Sequence, residues 1–135
     1  MSDWNKSVVE EFRANKGKVG GPFEGATLLL LHTTGTKSKI ERVNPVMYFI
    51  DDNHYVVVAS KGGADTHPDW YHNLLANPEI SVEVGTEKFP VIATVTSEPE
   101  RTRLYGKMES INPGFTEYKS KTSRIIPVIT LTRKS

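Results

Sequence analysis

Cysteine is absent from all 135 residues. That excludes disulfides, thiol nucleophiles and thiolate metal ligands, and it fits a reducing compartment. Long apolar runs are absent too: Ala26 to Leu31, the longest, is strand-sized, far short of the ~20 residues that span a bilayer. Net charge is nearly absent, with 17 Lys and Arg against 16 Asp and Glu, so no overall field draws the chain to nucleic acid. Any anion site must be local. The G-x-x-x-x-G-K-[ST] and G-x-G-x-x-G phosphate motifs are missing, as is the G-x-S-x-G elbow that would make Ser60 a hydrolytic nucleophile. Of the four histidines, His67 and His72 stand five apart, on different sides of a helix, so no metal site is expected. The start, Met1 to Lys6, has neither a basic region leading to an apolar one nor a small-residue cleavage site, and the expected location is cytoplasmic.

What is present fits one soluble globular domain, with 37% hydrophobic and 24% charged residues. Trp4, Val8 and Phe12, with Val9 alongside, recur at helical spacing and predict an amphipathic helix between Asp3 and Asn15. Its stripe packs on the domain in one reading. In the other, with Lys6, Arg13, Lys16 and Lys18 near, it is a foot on the inner face of the cell membrane. Gly17, Gly20, Gly21 and Pro22 then break the pattern.

Six segments rich in β-branched or aromatic residues follow: Ala26 to Thr33, Arg42 to Ile50, Tyr55 to Ser60, Ile80 to Val84, Phe89 to Thr96 and Ile125 to Thr132. The polar punctuators Asp51-Asp52-Asn53 and Gly85-Thr86-Glu87 suit antiparallel hairpins. Pro45, Pro90 and Pro127 mark edges, bulges or strand starts, which favours a barrel over a flat sheet. Helices are expected from Pro68 to Asn77 and from Pro99 to Asn112, with a short turn of helix over Phe115 to Lys119. The expected fold class is therefore α+β, a single domain on a small, mostly antiparallel barrel with flanking helices.

Three segments carry chemistry. The loop His32 to Arg42 gathers hydroxyls, a glycine and the cations Lys37, Lys39 and Arg42, the parts of a phosphate cradle. From Ala59 to Asn73 a strand ends in the pair Gly62-Gly63 and re-enters as a helix bearing Trp70 and Tyr71, which suits a flat ligand, although core packing is the commoner fate of such a tryptophan. Phe115 and Tyr118 lie on one side of a short helix, walling a pocket or capping the barrel mouth.

Taken in order, these segments resemble the deazaflavin-dependent nitroreductase family, small split-barrel proteins that bind coenzyme F420. The marks are Thr33-Thr34-Gly35 with Lys37, Ser38, Arg42 and Pro45; Ala59-Ser60-Lys61-Gly62-Gly63-Ala64 with Pro68, Trp70, Tyr71, Asn73, Leu74 and Pro78; and Tyr118 with Lys121-Thr122, Arg124 and Ile126-Pro127-Val128. The resemblance implies a split β-barrel F420-binding domain over residues 22–135, preceded by the helix and linker of residues 1–21. It implies F420 contacts from Thr36, Lys37, Ser38, Arg42, Val43, Asn44, Pro45, Val46 and Met47 around the tail and ring edge. Val58, Ala59, Ser60, Lys61, Asp69, Trp70, Tyr71, His72 and Asn73 would complete the slot, with Phe115 over the ring. Ser60 and Tyr118 would contact the acceptor as catalytic residues. The implied activity is hydride transfer from reduced F420 to a quinone-like or nitroaromatic acceptor. A non-catalytic F420 carrier, an FMN-binding split barrel and a homodimer are the alternatives and partner carried with it.

Two departures stand out. Family members usually have glycine where Lys39 stands, which suggests a different loop path. Members that activate nitro-heterocycles carry further tyrosines at the positions of Asn112 and Phe115, which favours quinones here.

Overall fold

The computed structural model describes residues 3–17 and 27–134. Its elements run α1 (Asp3–Ala14), β1 (Leu28–Thr34), β2 (Glu41–Met47), β3 (Phe49–Asp51), β4 (His54–Val58), α2 (Asp69–Ala76), β5 (Glu79–Val84), β6 (Glu87–Val95), α3 (Glu100–Ile111), α4 (Gly114–Ser120) and β7 (Val128–Arg133), with one 3-10 turn at Lys61–Gly63 before α2. All strand pairs are antiparallel, in the order β2-β1-β5-β6-β7-β4-β3.

The segment expected as one strand from Arg42 to Ile50 is two. The chain breaks at Tyr48, whose N–H donates to the Thr27 carbonyl at 3.1 Å. β2 and β3 then pair at opposite edges of the sheet. Since they are almost continuous in sequence and β2 touches β4, the sheet curls back on itself into a barrel split along one seam. Local propensity is strand-like on both sides of the break, so only the closure reveals it. The last strand likewise begins at Val128 rather than Ile125, just after Pro127, and β4 ends at Val58, two residues before Ser60. The start of the first expected strand at Ala26, and the glycines at 20 and 21 with Pro22, lie outside the described residues.

Turn chemistry fixes the hairpins. Asp52 and Asn53 both have positive φ, 48° and 65°, between the paired Asp51 and His54, and such a two-residue turn matches the twist of its strands. Pro90 pairs with Ser81 in β5 but stands just beyond the β6–β7 ladder, which starts at Val91. There its missing N–H costs that ladder nothing.

Along β1 the side chains alternate. Leu29 and Leu31 enter the barrel core with Val57, Trp70, Leu74, Val82, Ile129 and Leu131. Leu28 and Leu30 face outward and meet Val8, Val9 and Phe12 of α1. This is the packed reading of the amphipathic stripe: these three residues are buried, and burying each stabilises by about 1.5–3 kcal/mol, an upper estimate. Arg13 seals the helix end with two bonds to Glu83, at 3.1 and 2.8 Å. A third cluster, with Phe49, Val56, Leu104, Tyr105, Met108, Phe115 and Val128, joins α3 and α4 to the other face of the sheet. No helix among the described residues is long and apolar enough to cross a membrane.

Candidate functional site

A cleft of about 740 Å³ opens between the β1–β2 loop and α2, lined by Gly35, Thr36, Lys37, Ser38, Arg42, Val43, Asn44, Asp69, His72 and Asn73. The loop is built by its own backbone. Gly35 N–H donates to Ile40 O at 2.9 Å, Lys39 N–H to Gly35 O at 3.1 Å, and Ile40 N–H to the Ser38 hydroxyl at 3.2 Å. Ser38 folds so closely over Gly35 that a β-carbon there would lie 2.5 Å from its Oγ. A side chain at Gly35 would therefore force Ser38 to move, and Gly35 lines the cleft although it was not among the expected contacts. The signal for it was its place between Thr34 and Thr36. Lys39 takes φ 61°, the left-handed geometry that glycine adopts at low cost, so the loop turns without a glycine at that position.

Among the described residues, Lys37, Lys39 and Arg42 have no carboxylate partner. Neighbouring Glu41 is engaged elsewhere, with His32 at 3.2 Å. Three exposed cations beside the hydroxyls of Thr36 and Ser38 form a local positive rim on a nearly neutral chain. A second depression of about 290 Å³, beside His32 and Lys134, differs in kind. Its central imidazole is already held between Glu41 and Glu83, the latter at 2.5 Å, so it offers no free charge of one sign.

The opposite wall is α2. Asn73 is buried and donates from Nδ2 to the Thr33 hydroxyl at 3.1 Å, which bolts α2 to β1 across the base of the cleft. This explains the asparagine: a buried amide needs such a partner. Trp70 and Leu74, on the buried side of the same helix, fill the barrel core, leaving Asp69 and His72 exposed at the cleft.

Nine expected contacts, Thr36, Lys37, Ser38, Arg42, Val43, Asn44, Asp69, His72 and Asn73, thus converge on one cleft. The others stand apart from its lining. Ala59 and Trp70 are buried in the barrel core, and Val58 is buried on the other face of the sheet with the α3 and α4 side chains. Pro45, Val46 and Met47 continue β2 beyond the cleft, and Tyr71 is half-buried against the core and the His67 ring. Ser60 and Lys61 form the turn before α2; the Ser60 side chain makes no capping bond, and Lys61 Nζ donates to Thr66 Oγ1 at 3.1 Å. Phe115 is buried in the third cluster, its carbonyl accepting from the Tyr105 hydroxyl at 2.6 Å.

Tyr118 reaches this neighbourhood through Gly63. That residue has φ 85°, and a β-carbon on it would lie 2.9 Å from the Tyr118 carbonyl oxygen, so glycine is needed both for the turn and for α4 to dock on it. The Tyr118 ring meets Phe115 edge-on at 5.1 Å. Its hydroxyl lies beside Gly114 and has no hydrogen-bond partner among the described residues.

A curled antiparallel split barrel carrying a cationic, hydroxyl-lined cleft defines a class of small cofactor-binding proteins. Within it the comparisons are specific. The family model described as F420H(2)-dependent quinone reductase matches residues 4–133, and the chain belongs to that family. An F420H(2)-dependent quinone reductase of Mycobacterium tuberculosis is 42% identical over 127 residues, which are 91% of this chain and 85% of the relative. Among solved structures, an F420-H2 dependent reductase, FDR-A, is similar with a TM-score of 0.70 and 38% identity, over 77% of this chain and 92% of that one. Another, described as a domain-swapped dimer, has a TM-score of 0.71 and 34% identity, over 96% and 97%.

Proposed function

We propose that the protein is an F420H2-dependent reductase of quinones. The observation that carries this reading is the cleft: Lys37 and Arg42, without a carboxylate partner among the described residues, face an α2 wall, with Lys39 exposed nearby on the same loop, in a chain of this family. The donor set fits the cofactor. Its phosphate and carboxylate tail call for several cations and hydroxyls, and its ring edge calls for polar groups such as Asn44, Asp69 and Asn73.

When bound, F420H2 supplies a hydride. The chain's part is to bind and orient. Lys37 and Arg42 hold anionic oxygens with charge-assisted bonds, and Ser38 and Thr36 add hydroxyl donors. Asn73, fixed through Thr33, gives α2 a rigid register for the ring. Ser60 and Tyr118, whose hydroxyls make no side-chain bond within the described residues, are the proposed contacts to an acceptor oxygen that gains negative charge.

The region that would carry extra tyrosines in reducers of nitro-heterocycles is otherwise occupied. Asn112 accepts from Gly114 N–H at 3.0 Å at the start of α4, and Phe115 is core. This supports quinones over nitroaromatics. The domain-swapped relative supports pairing of two copies as part of the same proposal. Among the described residues of the N-terminal helix, the apolar stripe of Val8, Val9 and Phe12 faces the sheet.

Fluorescence titration with F420, with FMN in parallel, followed by menadione-dependent oxidation of F420H2, tests this reading. Saturable preference for F420 and turnover support it. Binding without turnover on a panel of quinones makes the protein an F420 carrier instead, and preference for FMN overturns it.

A further inference from the structure

Arg124 lies in the segment between α4 and β7, remote in sequence from the cleft, yet it ties the connection that launches α2. Its Nε donates to Ala64 O at 2.8 Å, and its Nη2 donates to Ser60 O at 2.7 Å and Ala59 O at 3.2 Å. Nη1 contacts His67 Nδ1 at 3.0 Å. A guanidinium only donates, so His67 must present a bare Nδ1 and carry its proton on Nε2, which makes it neutral in this arrangement. The His67 ring packs on Tyr71 at 4.7 Å and edge-on to His72, a cleft residue, at 5.8 Å.

We propose that Arg124 is a positioning residue of the cofactor site: through the Ala59–Ala64 turn and through His67 it fixes the α2 wall of the cleft and orients His72. The proposal rests on reading that cleft as the F420 site. It adds a residue that touches no ligand itself and a pH dependence that belongs to the protein.

The groups facing His67 are Arg124 from one side and Tyr71 and His72 from α2; Asp65 and Tyr105 act on Arg124. Burial, then the charges of Arg124 and His72, hold the His67 imidazole below its ordinary 6.5. The sign follows. Above that value the Arg124–His67 bond is present; as pH falls through the depressed pKa of His67, Nδ1 gains a proton, the bond is lost, and the wall loosens.

F420 titrations between pH 5 and pH 8 on the wild type, Arg124→Ala, Arg124→Lys and His67→Asn test this. Arg124→Ala weakens binding by about tenfold to a hundredfold, the scale of a misplaced positioning group. Arg124→Lys does not restore it, because one ammonium cannot span four acceptors in a fixed fork. His67→Asn, whose amide oxygen still accepts from Arg124 but which lacks the ring that meets Tyr71 and His72, binds less tightly than the wild type at pH 8 and no longer declines toward pH 5. Nitrogen NMR of His67 provides a readout without cofactor: one fixed tautomer with protonated Nε2 in the wild type, and an averaged pair in Arg124→Lys.

Wild-type affinity and an unchanged pH profile in Arg124→Lys overturn the proposal, as does a protonated Nδ1 in the folded wild type. If Arg124→Ala fails to fold, the lysine variant and the NMR signal decide. Absence of F420 binding by the wild type overturns the reading of the cleft, and the tautomer measurement then decides separately whether Arg124 clamps the turn.

Discussion

The β1–β2 loop and the α3 surface carry similar side chains with opposite fates. On α3, Arg103 meets Asp51 at 2.8 Å and also Glu100, Lys107 meets the same Asp51, and Arg101 joins Glu98 at 3.0 Å while donating to the Ile126 carbonyl. Arg103 and Lys107 hold the Asp51 carboxyl well below the usual carboxylate range. On the loop, Lys37, Lys39 and Arg42 face solvent without a carboxylate partner among the described residues. A chain of net charge +1 therefore hides a strongly local polarity. Cations paired within the chain fasten elements; cations left unpaired around a concave surface are available to a ligand.

The sharpest way to break this comparison is to remove the free charges. Lys37→Ala and Arg42→Ala each weaken F420 binding by about tenfold to a hundredfold, as for the loss of a charge-assisted bond of about 1.5–3 kcal/mol. Their melting temperatures stay near that of the wild type. Isothermal titration beside thermal melts checks both halves, and unchanged affinity would remove the loop from the site.

Next in size is the bolt under the cleft. Asn73→Ala leaves the buried Thr33 hydroxyl without its donor and costs about 1–3 kcal/mol. Chemical denaturation measures that loss, and F420 affinity falls with it because the α2 wall shifts.

Glu83 extends the contrast to pH. Bonds from Arg13, and then His32, lower its carboxyl below 4.5, so its contribution to stability is complete above that value and is lost as pH falls through the depressed one. Glu83→Gln should lower the melting temperature near neutral pH and flatten its decline in acid. A parallel acid decline in mutant and wild type would show that the Arg13 tie does not hold α1.

The smallest effect is at Lys39. Lys39→Gly relieves a left-handed φ of 61° and should raise stability by up to about 1 kcal/mol while weakening F420 binding a few-fold. Stability without loss of affinity would assign Lys39 no part in holding the tail.

Much of this was legible along the chain. The hairpin at Asp52 and Asn53, the helices after Pro68 and Pro99, and the stripe of Val8, Val9 and Phe12 follow from spacing and turn chemistry, which act over a few residues. The cationic loop was legible because Lys37, Lys39 and Arg42 lie close together in sequence. The break at Tyr48 was not, since both flanks prefer extended backbone and only barrel closure sends β2 and β3 to opposite edges. Nor was the distinction between Trp70, which fills the core, and His72, which faces the cleft, settled by residue type.

The sequence by itself determined most of the elements and the charges available to a ligand, because these depend on local periodicity and on side-chain chemistry, and its resemblance to a known family pointed to the cofactor. Only the tertiary structure decided which charges remain unpaired and which distant residues support the site. Glu41 turns to His32 instead of Arg42, and Arg124 reaches back some sixty positions to Ser60 and Ala64. Pairing is a matter of distance in space, and folding sets that distance.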